Sequence, residues 1–381
     1  MTAKSAESVH RSLPTKAVLF TGHYAKSKRK AGFHFIGEAL AEMGVETLLF
    51  TYSYSPLSNL RQDFRAKLIP EGEHNKLVQV GPNLWSYVWR TPFHPVRIGK
   101  GLDAIARRVF SRYGELPLGE AEPFIRECSL AVFESGAGIM LLPRVQELAP
   151  DSFTVYRVSD DLKGLGSSPT IIRAEQELAG KFDLISSPCD YIHVQFEHLP
   201  SARIHFHGIE KDQFDQEHSN PYKANSKNIV FVGNSFCDTE FINWMAEDFP
   251  ECNFHVIGPI DSVQRRDNLK SYGEMPFRQT IPFLKFADVG LQTRSWFDGA
   301  PSLSDSLKMH QYTYCKLSIV LPEFIQTDRP HCFAYVPSDR ESMKAALQGA
   351  LEFDRSSIDT SKVLSWRELT SELLPTDLST I

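Results

Sequence analysis

Residues 16–53 read KAVLFTGHYAKSKRKAGFHFIGEALAEMGVETLLFTYS. The first run in this stretch, residues 16–22, is short and apolar and ends in small residues, which is typical of a buried strand. A helix is predicted next, because apolar residues recur at helical spacing until Gly44 ends the pattern. These apolar residues are Phe35, Ile36, Ala39, Leu40 and Met43. Residues 45–53 form another apolar run, so the stretch predicts one strand–helix–strand unit.

The same pattern continues through the first half of the chain. The runs LAVFESG (130–136), FTVYRVSD (153–160) and KFDLISSP (181–188) are each hydrophobic and end in small or polar residues. Buried parallel strands have this form, and the loops at their carboxyl ends carry function in α/β folds.

A polar stretch, GIEKDQFDQEHSNPYKANSK (208–227), interrupts the alternation, and we interpret it as a domain linker. The alternation then resumes in five further apolar runs and a last helical segment. These lie at residues 228–235, 253–259, 269–275, 286–293, 317–323 and 340–354. The sequence therefore predicts an α/β protein with two Rossmann-like domains, residues 1–207 and residues 228–360.

The composition excludes several classes of protein. With 42% hydrophobic and 23% charged residues, the chain is neither disordered nor fibrous. No apolar run approaches the length of a membrane span, and the first residues lack the apolar core of a secretory signal. The six cysteines are scattered without a CxxC pair, so we expect reduced cytosolic thiols and no zinc site.

Charge is distributed unevenly along the chain. Residues 1–120 hold 17 Lys and Arg against 10 Asp and Glu, although the whole chain carries −6. A basic first third on an acidic protein favours a local anionic partner: nucleic acid, a lipid surface or a phosphorylated substrate. Chance variation in charge is the alternative.

The motifs of several nucleotide-binding enzymes are missing. The first strand–helix turn contains no GxGxxG, and GxxxxGK[ST], HExxH and DxD do not occur. Their absence counts against a Rossmann dehydrogenase, a P-loop NTPase and a metal-bridged nucleotide-sugar enzyme. The second half instead offers a glycine turn after a strand, FVGNSF (231–236), where backbone can approach a phosphate. In DSLKMHQY (305–312), Lys308 and Gln311 lie on one helix face near its start, which suits a diphosphate.

An ordered set of motifs makes a family resemblance specific. YRVSD, HGIE, FVGNSF with a following Asp, FHVIG, YGEM and DSLKMHQY occur in this order between residues 156 and 312. The first half adds KRKAGFHFI, VWRTPFHP and VFESG. This set resembles the GT-B glycosyltransferases, and more closely the bacterial β-glucuronosyltransferases of xanthan assembly. The resemblance runs from about residue 21 to about residue 351.

The resemblance implies two Rossmann-like domains facing across a cleft, with a UDP-sugar donor held mainly by the second domain. It implies inverting transfer of glucuronate from UDP-glucuronate to a polyprenyl-diphosphate-linked oligosaccharide, without a metal or other cofactor. It also implies a peripheral location at the cytoplasmic face of the bacterial inner membrane. Residues 361–381 are candidates for the terminal segment that returns to the first domain in many GT-B proteins.

Asp160, at the end of FTVYRVSD, is the candidate catalytic base. Inverting transfer needs one base near the acceptor hydroxyl, and an enclosed aspartate gains a pKa suited to that task. The resemblance places the family's catalytic aspartate at Asp160 and not at the adjacent Asp161. Glu134 and Arg157 also lie at strand ends; we expect Glu134 to orient Asp160 or contact the acceptor, whereas Arg157 fits a structural role equally well. His207 is a further candidate, for contact with the donor phosphate across the cleft.

The predicted donor site lies in the second domain. Lys308 is expected to neutralise the diphosphate, Gln311 to bind ribose or phosphate, and Glu274 and Met275 to contact uracil. The full set is Gly233, Ser235, Tyr272, Glu274, Met275, Arg294, Leu303, Lys308 and Gln311.

Basic residues interleaved with apolar ones predict contact with an anionic leaflet or the acceptor's diphosphate. They are Lys26, Lys28, Arg29, Lys30, Arg61 and Arg65.

Three alternative functions remain open. A different UDP-sugar donor is suggested by Ser235 and Arg294, because the relatives have methionine at the first position and APY where this chain has QTR (292–294). The second alternative is a nucleotide-sugar-binding membrane protein without turnover. The third, a nucleic-acid binder, lacks a recognised binding motif, so we expect no nucleic-acid partner.

Overall fold

The computed structural model describes residues 13–60, 67–99, 103–233 and 236–375. The chain divides into two compact units: unit 1 runs to His205 and resumes at Trp366, and unit 2 comprises Phe206–Ser365. Both are α/β units with largely parallel sheets, as the alternating apolar runs predict.

Unit 1 is built on an eight-stranded sheet in the order β3-β4-β2-β1-β5-β6-β7-β8, in which only β3 and β4 pair antiparallel. The strands are β1 Lys16–Thr21, β2 Glu46–Tyr54, β3 Leu77–Gly81, β4 Leu84–Arg90, β5 Leu130–Glu134, β6 Phe153–Arg157, β7 Leu184–Ser187 and β8 Ala202–Ile204. The helices are α1 Gly32–Glu42, α2 Pro56–Leu60, α3 Asp103–Phe110, α4 Glu122–Arg126, α5 Leu142–Leu148, α6 Pro169–Leu178 and α7 Asp190–His193.

The centre of unit 1 is aromatic. Phe20 stacks on Phe133 with ring centroids 4.5 Å apart, and Phe50 packs on both Phe20 and Trp89. All four side chains are essentially inaccessible to solvent. This packing joins β1, β2, β4 and β5. Because β1, β5 and β6 are neighbouring parallel strands, their carboxyl ends lie at one edge of the sheet.

Unit 2 has a six-stranded parallel sheet in the order β12-β11-β10-β13-β14-β15, together with a two-stranded pair of β9 and β16. The strands are β9 Gly208–Ile209, β10 Lys227–Val232, β11 Cys252–Ile257, β12 Leu269–Ser271, β13 Val289–Leu291, β14 Ser318–Pro322, β15 Cys332–Tyr335 and β16 Leu364–Ser365. The helices are α8 Lys211–Asp215, α9 Thr239–Asp248, α10 Phe277–Phe286, α11 Leu307–Tyr314 and α12 Arg340–Glu352. Apolar clusters cover both faces of the main sheet.

The region expected to be a linker has a different structure. The unit boundary falls at His205–Phe206, and residues 208–215 form β9 and α8 within unit 2. Phe214 is buried in a core of unit 2, so an amphipathic turn of helix anchors this polar sequence. The polar composition of residues 208–227 gives no indication that Phe214 is buried.

The last described helix, α13 (Trp366–Glu372), belongs to unit 1. Trp366 stacks on Phe35 of α1 with ring centroids 4.9 Å apart, and its ring lies 3.3 Å from where a Cβ on Gly32 would be. Helix α13 is thereby packed on the first helix of unit 1.

Candidate active site

Glu134, at the carboxyl end of β5, is the centre of a hydrogen-bonded cluster in unit 1. Its Oε2 accepts hydrogen bonds from Thr21 Oγ1 at 2.6 Å and from the Gly22 N–H at 3.0 Å. His23 Nε2 lies 3.4 Å from Oε1. Burial alone would raise the pKa of Glu134, but these partners outweigh burial and lower it. Glu134 is therefore held in place as a carboxylate.

Asp160 lies beyond the end of β6, the strand beside β5. The Ser135 hydroxyl accepts hydrogen bonds from the backbone N–H groups of Ser159 at 2.9 Å and Asp160 at 3.2 Å, which ties the two strand ends together. The Asp160 side chain is exposed to solvent. The protein packed around it and the negative charge of Glu134 raise the pKa of Asp160 to about 6. A reachable carboxylate with this pKa suits a general base near neutral pH.

His23 is the residue of this cluster that sequence reasoning missed. It lies two residues after the end of β1, in the turn that contains no phosphate-binding glycine motif. Its ring lies 5.8 Å from that of His34, which is buried. His34 Nδ1 accepts from the Ala31 N–H, so Nε2 donates to the Tyr24 carbonyl. Burial lowers the pKa of His34, which favours a neutral ring behind the exposed His23. A polar residue in the turn after β1 was the available signal.

Arg157 is buried and points to another part of unit 1. Its Nη1 donates to Ser186 Oγ at 2.8 Å and to the His205 carbonyl at 2.6 Å, on the side of β7. Burial lowers the pKa of Arg157 to about 10. This placement is that of a structural partner between strands. Asp161 is also buried, and its carboxylate accepts from the Lys163 N–H.

Unit 2 contains a pocket of about 300 Å³ at the carboxyl end of its sheet. It is lined by Val232, Gly233, Ile257, Gly258, Pro259, Glu274, Met275, Phe277, Thr280, Arg294 and Lys308. Five predicted donor-site residues are thus together in one pocket: Gly233, Glu274, Met275, Arg294 and Lys308.

Close backbone packing forms part of the pocket wall. Gly258 has a φ of +138°, and a Cβ on it would lie 1.7 Å from the Gly233 carbonyl oxygen. The Gly258 N–H donates to the Gly273 carbonyl, and the Gly233 N–H donates to the Ile257 carbonyl. Only glycine fits at position 258, because a side chain there would collide with the Gly233 backbone, and this close packing shapes the pocket wall at the ends of β10 and β11.

Two cations line the pocket, and both have lowered pKa values. The surrounding protein and the neighbouring Arg294 lower the pKa of Lys308 to about 7, and burial lowers that of Arg294. Lys308 Nζ lies 4.9 Å from the ring centroid of Phe231. Among the described residues, Lys308 has no ion-pair partner and Arg294 Nε no hydrogen-bond partner. An anion in the pocket would satisfy both.

The other predicted donor residues lie elsewhere or outside the description. Tyr272 is exposed, and its hydroxyl is hydrogen-bonded to His255 Nδ1 at 2.8 Å. Gln311 is buried on α11 and does not line the described pocket. Ser235 lies outside the described residues, as does the side chain of Leu303.

His207 belongs to unit 2 and not, as predicted, to the first domain. Its ring centroid lies 6.4 Å from that of His310 on α11. His310 in turn lies near Asp305, which forms an ion pair with Arg329. His207 is therefore near the helix that carries Lys308, within the same unit.

The predicted membrane-contact residues are partly neutralised by the fold. Lys26 is paired with Glu73 and Lys30 with Glu38, each with N–O distances of 2.6 Å. Lys28 and Arg29 lie between them in the chain, whereas Arg61 and Arg65 lie outside the described residues.

Neither a membrane-spanning helix nor a group of metal ligands occurs in the described part of the chain. No helix there is long and apolar enough to cross a membrane. No three or more His, Cys, Asp or Glu side chains are grouped there as metal ligands.

Solved structures with the same fold are glycosyltransferases. Sucrose-phosphate synthase from Thermosynechococcus elongatus matches with a TM-score of 0.56 and 11% identity, covering 94% of each chain. Anabaena HepE in complex with UDP-glucose matches with a TM-score of 0.56 and 12% identity, covering 94% of this chain and 93% of that one. The fold of this protein is therefore GT-B.

The sequence comparisons narrow the class. Residues 19–188 match the family "Glucuronosyltransferase GumK, N-terminal domain". The chain is 28% identical over 363 residues to the UDP-glucuronate:glycolipid 2-beta-glucuronosyltransferase of Xanthomonas campestris pv. campestris, covering 94% of this chain and 88% of the relative. The chain thus has the GT-B fold and resembles the bacterial β-glucuronosyltransferase of xanthan assembly, as its motifs predicted.

Proposed function

We propose that this protein transfers glucuronate from UDP-glucuronate to a polyprenyl-diphosphate-linked oligosaccharide, with inversion and without a metal ion, in bacterial exopolysaccharide synthesis. The observation that carries the proposal is the unit 2 pocket, which is lined by the two cations Lys308 and Arg294 together with Gly233 and Gly258. The name of the Xanthomonas relative supplies the donor and the glycolipid class of acceptor.

The proposed chemistry divides between the two units. In unit 1, Asp160 takes the proton from the acceptor hydroxyl as that oxygen bonds to C1 of the sugar. The bond from C1 to the diphosphate oxygen breaks, and its electron pair leaves with UDP. In unit 2, Lys308 and Arg294 neutralise the charge that develops on this leaving group, a task that a metal ion performs in other transferases.

Arg294 distinguishes glucuronate from a second candidate, the same chemistry with another UDP-sugar. It is a guanidinium at a position where the relatives have no cation, and it lines the pocket. A guanidinium suits either the diphosphate or the sugar carboxylate, because both accept paired N–H groups. Only binding to the sugar carboxylate would select glucuronate over a neutral sugar.

We also propose a peripheral location at the cytoplasmic face of the inner membrane. The basic balance of the first 120 residues supports it, as do exposed apolar side chains in unit 1. Leu60 is 79% exposed and Leu68 is 47% exposed. Apolar and basic residues together bind an anionic lipid surface.

A thermal-shift titration in EDTA tests the donor half of the proposal. The ligands are UDP, UDP-glucuronate, UDP-glucose, GDP-mannose and NAD. A ligand at a hundredfold excess over its Kd stabilises the fold by about 2.7 kcal/mol. We expect UDP and UDP-glucuronate to raise Tm, and GDP-mannose and NAD to leave it unchanged. A larger shift with UDP-glucose would indicate that glucose, and not glucuronate, is the donor sugar. No shift with any nucleotide would contradict the proposal.

A further inference from the structure

Unit 1 contains a second pocket that the proposed chemistry does not use. It has a volume of about 440 Å³ and lies between the end of α3, the start of α5 and one face of α6. It is lined by Arg107, Arg108, Ser111, Met140, Pro143, Thr170, Arg173, Ala174, Glu177 and Leu178. Arginines occupy one part of this lining and apolar side chains another.

The charge of this pocket is positive. Arg107, Arg108 and Arg173 face a single carboxylate, Glu177, which lies 3.8 Å from Arg173 Nε. Within the described chain, Arg107 and Arg108 have no carboxylate partner. The predicted basic cluster differs, because Lys26 and Lys30 are paired with carboxylates. The two free arginines of α3 are therefore the better anion site.

Apolar surface accompanies this charge. Met140, Pro143 and Leu178 contribute to the pocket wall, and Val109, between Arg108 and Phe110, is 47% exposed. Ile98 is 46% exposed and Leu165 is 55% exposed. These two residues adjoin a contact in which Arg97 Nη1 lies 3.5 Å from the Gly166 carbonyl, four residues before Thr170 of the pocket.

We infer that this pocket binds the phosphate group of an amphiphile, with the arginines on the phosphate and the apolar wall against the attached chain. Guanidinium groups bind phosphate through paired N–H donors, and exposed apolar side chains insert beside a headgroup. Two sources share this chemistry: an anionic phospholipid and a polyprenyl phosphate. The choice of the second source rests on the proposed function, whereas the site itself does not.

Vesicle binding by the full chain tests the site. The probes are phosphatidylcholine vesicles alone, with phosphatidylglycerol, and with undecaprenyl phosphate. The test variant is R107Q/R108Q. The matched control is R112Q/R126Q, which removes two arginines that unit 1 pairs with Glu115 and Glu122. Each basic residue at an anionic surface contributes a factor of about five, so we expect about 30-fold weaker binding for the test variant. The control should change less than threefold.

The lipid arms distinguish the two sources. Stronger binding to undecaprenyl phosphate than to an equal fraction of phosphatidylglycerol would indicate a lipid-linked substrate, and equal binding would indicate a headgroup site. Equal losses in the test and control variants would overturn the inference. Vesicle binding that is unaffected by saturating inorganic diphosphate would also overturn it, because the arginines would then not contact the phosphate. The inference would also be overturned if the chain bound an oligonucleotide and did not bind vesicles.

UDP binding by the same variants separates this inference from the proposed function. We expect R107Q/R108Q to bind UDP as the unmodified chain does, which also shows that the variant is folded. If the unmodified chain bound vesicles through Arg107 and Arg108 but did not bind UDP, the proposed function would fail and the lipid site would stand.

Discussion

The carboxylate cluster of unit 1 and the cationic pocket of unit 2 are built in opposite ways. Glu134 is buried with hydrogen bonds from Thr21 and Gly22, so its negative charge is already satisfied. Lys308 and Arg294 lie side by side, and among the described residues neither has a carboxylate partner. One site is complete in the protein alone, and the other is completed by an anion.

In the proposed chemistry, the carboxylate cluster supplies the base and the cationic pocket holds the leaving group, and the two sites differ as these roles require. A satisfied carboxylate stays in place, and its charge adds to the effect of the surrounding protein in raising the pKa of Asp160. Two adjacent cations with lowered pKa values gain free energy when a diphosphate binds between them. Each prediction below tests one side of this contrast.

The largest effect is expected for Asp160→Asn. The amide cannot take the proton from the acceptor hydroxyl, so transfer should fall by about 10²–10⁴-fold while UDP affinity is unchanged. Initial rates and calorimetric UDP binding measure the two quantities. Asp161→Asn is the matched control, because it removes the adjacent charge and should cost less than tenfold. A near-normal rate for Asp160→Asn would exclude Asp160 as the base.

Lys308→Gln tests the cationic pocket of unit 2. Loss of one charge-assisted hydrogen bond to the diphosphate costs about 1.5–3 kcal/mol, so UDP affinity should fall about 10–150-fold. Calorimetry with UDP checks this directly. Lys344→Gln, an exposed lysine on α12 paired with Glu341, is the control and should leave affinity unchanged. Unchanged affinity in Lys308→Gln would remove the leaving-group role.

The pH dependence should show both groups. Asp160 must be deprotonated, so kcat/KM should fall about tenfold per pH unit as pH drops below about 6. Lys308 must be protonated, so kcat/KM should also fall as pH rises above about 7 in the free enzyme. Bound diphosphate raises the pKa of Lys308, and the alkaline limb of kcat should therefore lie at higher pH.

Glu134→Gln tests whether the charge of Glu134 affects the acidic limb of the pH profile. Glutamine can still accept the hydrogen bonds from Thr21 and Gly22, but it carries no charge to raise the pKa of Asp160. The acidic limb should therefore move to lower pH. An acidic limb at its original position would show that Glu134 does not set the pKa of the base.

The smallest expected effect concerns the donor sugar. If Arg294 binds the glucuronate carboxylate, Arg294→Gln should lower the preference for UDP-glucuronate over UDP-glucose by about tenfold, with UDP itself affected less. Competition between the two donors measures this ratio. An equal loss for UDP and both UDP-sugars would place Arg294 on the diphosphate instead.

Local sequence patterns predicted the parts that depend on local chemistry. Apolar runs marked the strands, and strand ends pointed to Glu134 and Asp160. Long-range pairing was not predictable: Lys26 meets Glu73, 47 residues away, and His23 approaches Glu134 only through the pairing of β1 with β5. Composition misrepresented residues 208–227, because one buried Phe214 is enough to anchor a polar segment.

A transfer assay in EDTA tests the proposed donor, acceptor and stereochemistry together. UDP-glucuronate and UDP-glucose are offered separately with a polyprenyl-diphosphate-linked oligosaccharide that ends in mannose, and the anomeric configuration of the product is determined by NMR. We expect transfer of glucuronate at an unchanged rate in EDTA, with a β-linked product. An α-linked product, a rate abolished by EDTA, or faster transfer of glucose would contradict it.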